Sequence, residues 1–181
     1  VLSQRKSVVE DLLSEGKLDI DERDEGGRTA LHLAIMSHFE AEASVDIKEA
    51  QATANEITSL LLRHGASHCI RDNVLQWRPL RLADKLKAWV AMDLIIGHEG
   101  DTRDLVQMLQ SLSKKTYVQE VLKVAARMGC SNILDWLLKQ RVNLAQSIPA
   151  WFLYETTLLN EAARFGQLHI VKYLVRHKAD V

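Results

Sequence analysis

Four short segments of this chain repeat one another, and that self-similarity constrains the fold more than any single motif. With Ala34 as the phase marker, Ala83, Ala125 and Ala162 fall at matching places. Each sits in a short helix-forming run: "TALHLA" from position 29, "RPLRLA" from 78, "VLKVAARMG" from 121 and "TLLNEAARFG" from 157. Each run is followed by an amphipathic stretch: "EITSLLLRHGA" at 56–66, "VAMDLIIGHEGD" at 90–101, "NILDWLLKQRV" at 132–142 and "HIVKYLVRHKA" at 169–179. The spacing of apolar residues predicts a pair of helices per unit, with small residues where the two must approach. A unit of this size cannot bury its apolar face alone, so neighbours must stack.

The best-formed unit begins "GGRTALHLA" at 26–34. Gly27 permits a turn, and Thr29 is suited to cap the first helix, its hydroxyl satisfying a backbone donor. Leu31, Ala34 and Ile35 then share one buried stripe, while Ile57, Leu60 and Leu61 form that of the second helix, which Gly65 closes in a left-handed cap. These residues are architecture rather than chemistry.

On this pattern the chain resembles the ankyrin repeat family, whose motif runs D-x-x-G-x-T-x-L-H-x-A-A, then a glycine turn, then an apolar helix ending G-A-D. The first full unit carries it at Asp24, Gly27, Thr29, Leu31, His32, Ala34, Leu60, Leu61, Gly65 and Ala66. The last carries it at Thr157, Leu159, Ala162, Ala163, Gly166, Val171, Leu174, Ala179 and Asp180. The resemblance implies an all-α solenoid of stacked helix-turn-helix units with short β-hairpin fingers, one domain over 1–181. Its parts are a partial repeat at 1–23, a repeat at 24–66 with an insertion at 39–53, and a repeat at 67–101. A helical insert at 102–117 and repeats at 118–146 and 147–181 follow.

The departures from the pattern are informative. In the insertion, Val45, Ile47, Ala50, Ala54 and Ile57 keep partial helical periodicity, which predicts a second helix lengthened into a projection. Leu105, Met108, Leu109 and Leu112 predict an amphipathic helix in the later insert, which should tilt or divide the stack. "SIPAWFLYE" at 147–155 is expected to bury an aromatic anchor at a repeat junction. Arg141, Val142 and Lys178 stand near helix ends where the pattern has glycine. Trp136 reads as core, and Trp89 as part of an inter-helix turn.

Composition excludes several functions. The longest apolar stretch, 89–96, is interrupted by Asp93 and is far shorter than the roughly 20 residues that span a bilayer. Two cysteines, Cys69 and Cys130, in a chain without a disulfide-rich pattern read as reduced thiols of an intracellular, cytoplasmic or nuclear protein. A chain that opens on Val1 and stops at "RHKADV" reads as a piece of a longer protein. Net charge is only −1, but residues 1–60 hold 13 acidic against 6 basic side chains, so charge runs along the chain from acidic to basic. Arg78, Arg81 and Lys85, with Lys87 nearby, fall at the spacing of one basic helical stripe. A pI near 6.7 nevertheless argues against a dominant nucleic-acid surface.

Catalytic constellations do not emerge. His64, His68 and Cys69 have no fourth ligand at a recognisable spacing, Cys130 has no neighbouring base, and there is no phosphate-binding glycine loop or nucleophile elbow. No cofactor or metal is expected and no enzyme activity. His32 occupies the position where the resemblance implies a bond within the repeat. What remains is recognition of another protein or a peptide segment, through what the resemblance implies is a concave groove of finger tips and first helices. Residue by residue that implies Glu25, Arg28, Met36 and Ser37 in the first unit, then Arg71, Asn73, Trp77 and Lys85 in the second, with Arg81 on the same helix. In the third and fourth it implies Arg127, Met128, Arg164 and Phe165. Trp77, just before a helix start, is the expected anchor. Two other readings stay open: a regulatory or substrate-positioning module of a larger enzyme or channel, and an anion-binding surface built on the basic stripe. Oligomeric state and partner identity leave no mark on the sequence.

Overall fold

The computed structural model describes residues 2–16, 18–40, 47–98, 115–139 and 158–177. It is helical, and the chain divides into two compact units, Val1–Leu105 and Val106–Val181. The division falls inside the segment read from sequence as an insert.

The first unit contains α1 (Leu2–Ser14), α2 (Ala30–Glu40), α3 (Ile47–Arg63), α4 (Pro79–Lys85) and α5 (Trp89–Gly97). Helices α2 and α3 form the first helix pair, and α4 and α5 the second; α4 packs beside α2, and α5 beside α3. Helix α1 lies along α3, where Lys6 Nζ stands 2.9 Å from the Glu56 carboxylate. The core is the set of residues the repeat phase selects: Leu31 and Ile35 from α2, Leu62 from α3, Met92 and Ile95 from α5 are all fully buried. Each large aliphatic side chain so buried contributes about 1.5–3 kcal/mol.

Helix α3 runs 17 residues against 9 in α5. Positions 47–53 of the insertion therefore continue the second helix at its N-terminal side, and 41–46 lie outside the described residues. Gly65, at φ +89°, ends α3 as expected: Gly65 N–H donates to the Leu62 carbonyl and Ala66 N–H to that of Leu61. This left-handed closure satisfies two carbonyls that the helix end leaves open.

Helices α6 (Lys115–Met128), α7 (Ser131–Lys139), α8 (Leu158–Arg164) and α9 (Leu168–Arg176) make the second unit. Helix α8 packs on α6 and on α9, and α6 on α7. Ile133, Leu134 and Leu137 from α7 and Ile170 and Leu174 from α9 are fully buried. Tyr173 on α9 donates to Asp135 on α7 at 2.6 Å; burial first, then that carboxylate, raises the phenol above its ordinary value. Trp136 is core, as read from sequence, and Trp89 opens α5 just after a turn with its ring buried. The aromatic run at 147–155, Arg141, Val142 and Lys178 lie outside the described residues, as does nearly all of the insert at 102–117.

No strand forms among the described residues. Each finger of the first unit is instead a loop closed by a backbone bond, Asp24 N–H to the Arg28 carbonyl and Asp72 N–H to that of Trp77, both at 2.9 Å. No helix among the described residues is long and apolar enough to cross a membrane.

Candidate protein-binding face

The loop at 71–78 is organised from the inside by one carboxylate. Asp72 is buried, and its Oδ1 accepts the N–H groups of Val74 at 2.8 Å and Leu75 at 2.6 Å, while Oδ2 accepts that of Trp77 at 3.0 Å. Burial alone would raise this carboxyl; the Leu75, Trp77 and Val74 N–H groups together outweigh it and hold the group below the usual carboxylate range. An Asp side chain that collects its own following amides leaves few donors for a strand ladder, which is why the finger is a loop. Val74 and Leu75 are thereby held outward, 65% and 54% exposed, beside a half-buried Trp77.

A histidine ties this loop to the first helix before it. Thr29 does occupy the capping position of α2, but the cap runs in the opposite sense to the one expected. His32 Nδ1, at the third helical position, accepts from the Thr29 backbone N–H at 3.2 Å and from its hydroxyl at 3.0 Å. An amide N–H can only donate, so Nδ1 is unprotonated; Nε2 therefore carries the proton and donates it to the Trp77 carbonyl at 3.2 Å. The ring is neutral, and burial lowers its pKa. His32 thus bonds to its own helix start and across to the next repeat.

Arg23 makes the second tie between loops. Its Nε donates to the Gly27 carbonyl at 3.0 Å, and one Nη donates to the Arg71 carbonyl at 2.7 Å and to Asn73 Oδ1 at 2.9 Å. Asn73 N–H in turn donates to the Gly26 carbonyl.

These bonds show where the expected contact residues lie. Glu25 is exposed on the first loop, and Arg28 lines a groove between α1 and α2. Met36 and Ser37 are half-buried on α2, where the Ser37 hydroxyl donates back to the Ala34 carbonyl. Arg71 and Asn73 are exposed, yet both are engaged, Arg71 with the Gln76 carbonyl of its own loop and Asn73 with Arg23. On α4, Arg81 is half-buried and Lys85 exposed, while Arg78 occupies the capping position with Pro79 behind it.

In the second unit the expected residues meet directly. The Arg127 guanidinium lies 4.8 Å from the centre of the Phe165 ring, and that of Arg164 lies 5.8 Å from it. Arg127 also reaches the buried Glu161 carboxylate at 3.3 Å, and its carbonyl accepts from Gln167 Nε2 at 3.0 Å. Met128 and Phe165 remain exposed. A phenyl ring within reach of two guanidinium groups presents an apolar surface with positive charge beside it.

Sequence reasoning missed Val74 and Leu75, and it missed Asp72 as their organiser. The signal is in "DNVLQW" at 72–77: an Asp-Asn turn start followed by two apolar residues that no helix period claims. Among the described residues no three His, Cys, Asp or Glu side chains converge as metal ligands would.

The ankyrin repeat family model matches the chain at residues 26–73 and 154–181, the segments that hold α2, α3 and the start of the second loop, and the last helix pair. No curated protein matches the chain. Ankyrin repeats are in general protein–protein interaction modules. From the repeat phase, the helix pairs and this match, the chain carries ankyrin repeats over these two segments.

Proposed function

We propose that this chain recruits a partner protein through the face made by its finger loops and first helices, and carries out no chemistry of its own. The observation that carries the reading is the loop at 71–78: a buried carboxylate and a neutral histidine fix its backbone, and the loop presents Val74 and Leu75 to solvent. Fixing a loop before binding removes an ordering cost that would otherwise be charged against affinity. In this reading Trp77 at its base is the anchor, with Arg71 in the same loop and Arg81 and Lys85 on the helix that follows. In the second unit Arg127, Met128, Arg164 and Phe165 form the corresponding patch.

The test is a peptide-display selection on the immobilised chain, followed by affinity measurement with Trp77→Ala. The bonds of Trp77 to Asp72 and His32 are made by its backbone, so the substitution keeps them. Affinity for the selected peptides should fall about 30-fold, roughly 2 kcal/mol, with the melting curve nearly unchanged. Unchanged affinity would remove Trp77 from the interface, and a large loss of stability would make it a structural residue.

A further inference from the structure

The two finger loops of the first unit are built to different lengths. In the first, the Asp24 N–H reaches the Arg28 carbonyl across Glu25, Gly26 and Gly27; in the second, the Asp72 N–H reaches the Trp77 carbonyl across Asn73, Val74, Leu75 and Gln76. The second loop bends at Gln76, at φ +55°, where the shorter one has Gly27 at φ +71°. A side chain is disfavoured in that left-handed conformation, so the fold accepts strain here that glycine would avoid. What the longer loop gains is an apolar pair, Val74 and Leu75, whose amides Asp72 holds and whose side chains stay exposed.

Two arginines are fastened to this loop by neutral oxygens rather than by acids. Arg71 Nη1 donates to the Gln76 carbonyl at 2.9 Å, and Arg23 donates to the Arg71 carbonyl and to Asn73 Oδ1. Among the described residues neither stands in an ion pair. Arg71 is exposed, and its bond to Gln76 uses a single N–H of the guanidinium fork, so the rest of the fork stays open. From 71 to 87 the bases are Arg71, Arg78, Arg81, Lys85 and Lys87, while the acids, Asp72 and Asp84, are 7% and 5% exposed. Residues 21–28 are mixed: the Asp21 and Asp24 carboxylates accept the Ser67 and Arg28 N–H groups, which leaves Glu22 and Glu25 against Arg23 and Arg28. That stretch selects no sign of charge; the second loop and α4 select an anion.

We propose that the loop at 71–78 docks an acidic segment of a partner protein: an aliphatic or aromatic side chain of that segment rests on Val74 and Leu75, and a carboxylate beside it takes the open edge of Arg71. This rests on the finger-face reading above and adds the chemistry of the partner. Apolar burial alone would accept any hydrophobic segment. A guanidinium positioned by a carbonyl and lacking a counter-ion adds a preference for a carboxylate, because the planar fork can bind both carboxylate oxygens at once. A nucleic-acid backbone would find the same cations, but its phosphates and sugars give Val74 and Leu75 no apolar cover.

The experiment selects a random peptide library on the immobilised 181-residue chain and measures the selected peptides by fluorescence anisotropy. They should carry net negative charge, with an aliphatic or aromatic residue next to Asp or Glu. Leu75→Gln, at an exposed position, should weaken them about tenfold with melting unchanged, while Leu168→Gln in the second unit should not. Arg71→Gln should weaken an acidic peptide about tenfold and hardly change binding of the same peptide with amides in place of its acids. Equal loss for both peptides would make Arg71 a brace of the loop and overturn the carboxylate pairing. Acidic peptides indifferent to Leu75→Gln would show charge attraction without an apolar seat and overturn the proposal. Selection without acidic bias would overturn it too, yet leave the finger face standing if Trp77→Ala still weakens the peptides; if neither Trp77→Ala nor Leu75→Gln weakens them, both readings fall. A single-stranded oligonucleotide that binds as tightly, with the same loss on Leu75→Gln, would make the loop a nucleic-acid site instead. Self-association of the wild type that Leu75→Gln abolishes would make the occupant a second copy and sink the partner-segment proposal.

Discussion

The junction between the two helix pairs of the first unit and the junction between α6 and α8 in the second do the same job with different chemistry. In the first, a neutral imidazole of α2 donates to the Trp77 carbonyl, and α4 carries the apolar Leu82. In the second, the position of α6 matching His32 is Lys123, and the position of α8 matching Leu82 is Glu161, buried and held by Arg127. There the backbone carbonyls of Arg127 and Gly129 take bonds from Gln167 and His169 instead. The stack requires that each first helix be tied to its neighbour, but it leaves open which side chain ties it. A neutral tie tolerates an apolar neighbour, whereas a charged tie commits the fold to keeping its counter-ion.

The first way to sharpen this comparison is to remove the organiser of the neutral junction. Asp72→Ala leaves the Val74, Leu75 and Trp77 N–H groups without their acceptor, and with them the carbonyl that His32 bonds loses its fixed position. We expect a loss of about 3 kcal/mol, read as a lower denaturation midpoint in urea. Asp72→Asn keeps one acceptor oxygen and should lose less. A change under about 0.5 kcal/mol would mean that water replaces the carboxylate and that the loop is not built around it.

The charged junction should break differently. Arg127→Ala strands the Glu161 carboxylate, which is nearly inaccessible, and should cost about 2 kcal/mol after allowance for the partial exposure of the arginine. Adding Glu161→Leu, which restores the residue type found at Leu82 of the first junction, should recover most of that loss. A double variant no more stable than Arg127→Ala alone would show that the arginine matters through its stacking on Phe165 rather than through its counter-ion.

The contrast also shows what was legible in the sequence. Helix pairing, the buried stripe of Leu31, Ala34 and Ile35 and the left-handed end at Gly65 follow from periodicity and turn chemistry, which are local. Family resemblance placed His32 within the repeat, but its bond to Trp77, 45 positions away, depends on how two repeats are set side by side. Nothing in the local pattern around Glu161 marks it as buried; α8 packs on α6, and Arg127 of α6 reaches its carboxylate. The finger of the second repeat was expected as a hairpin, and the Asp72 side chain turned it into a loop by capturing amides that a strand would have used.

The smallest expected effect tests whether helix ends of the repeats obey one rule. After α4, Lys87 N–H donates to the Asp84 carbonyl and Ala88 N–H to that of Ala83; after α8, Gly166 and Gln167 donate to Ala163 and Ala162 in the same arrangement. The residue at the bend has φ +57° at Lys87 and +70° at Gly166. A side chain bearing Cβ is disfavoured there by about 1–2 kcal/mol, a cost partly offset by the greater chain entropy glycine loses on folding. A compensation at Lys87 is its ammonium 5.0 Å from the Trp89 ring centre, worth about 0.5 kcal/mol at an exposed site. Lys87→Gly should therefore stabilise the protein by only about 0.5 kcal/mol, and Gly166→Lys, where an added Cβ meets no atom within 4 Å, should destabilise it by about 1 kcal/mol. Opposite signs in thermal melts would show that backbone geometry decides at both ends. A loss with Lys87→Gly would mean that the contact with Trp89 outweighs the strain, and that the departure from glycine after α4 serves the packing of α5.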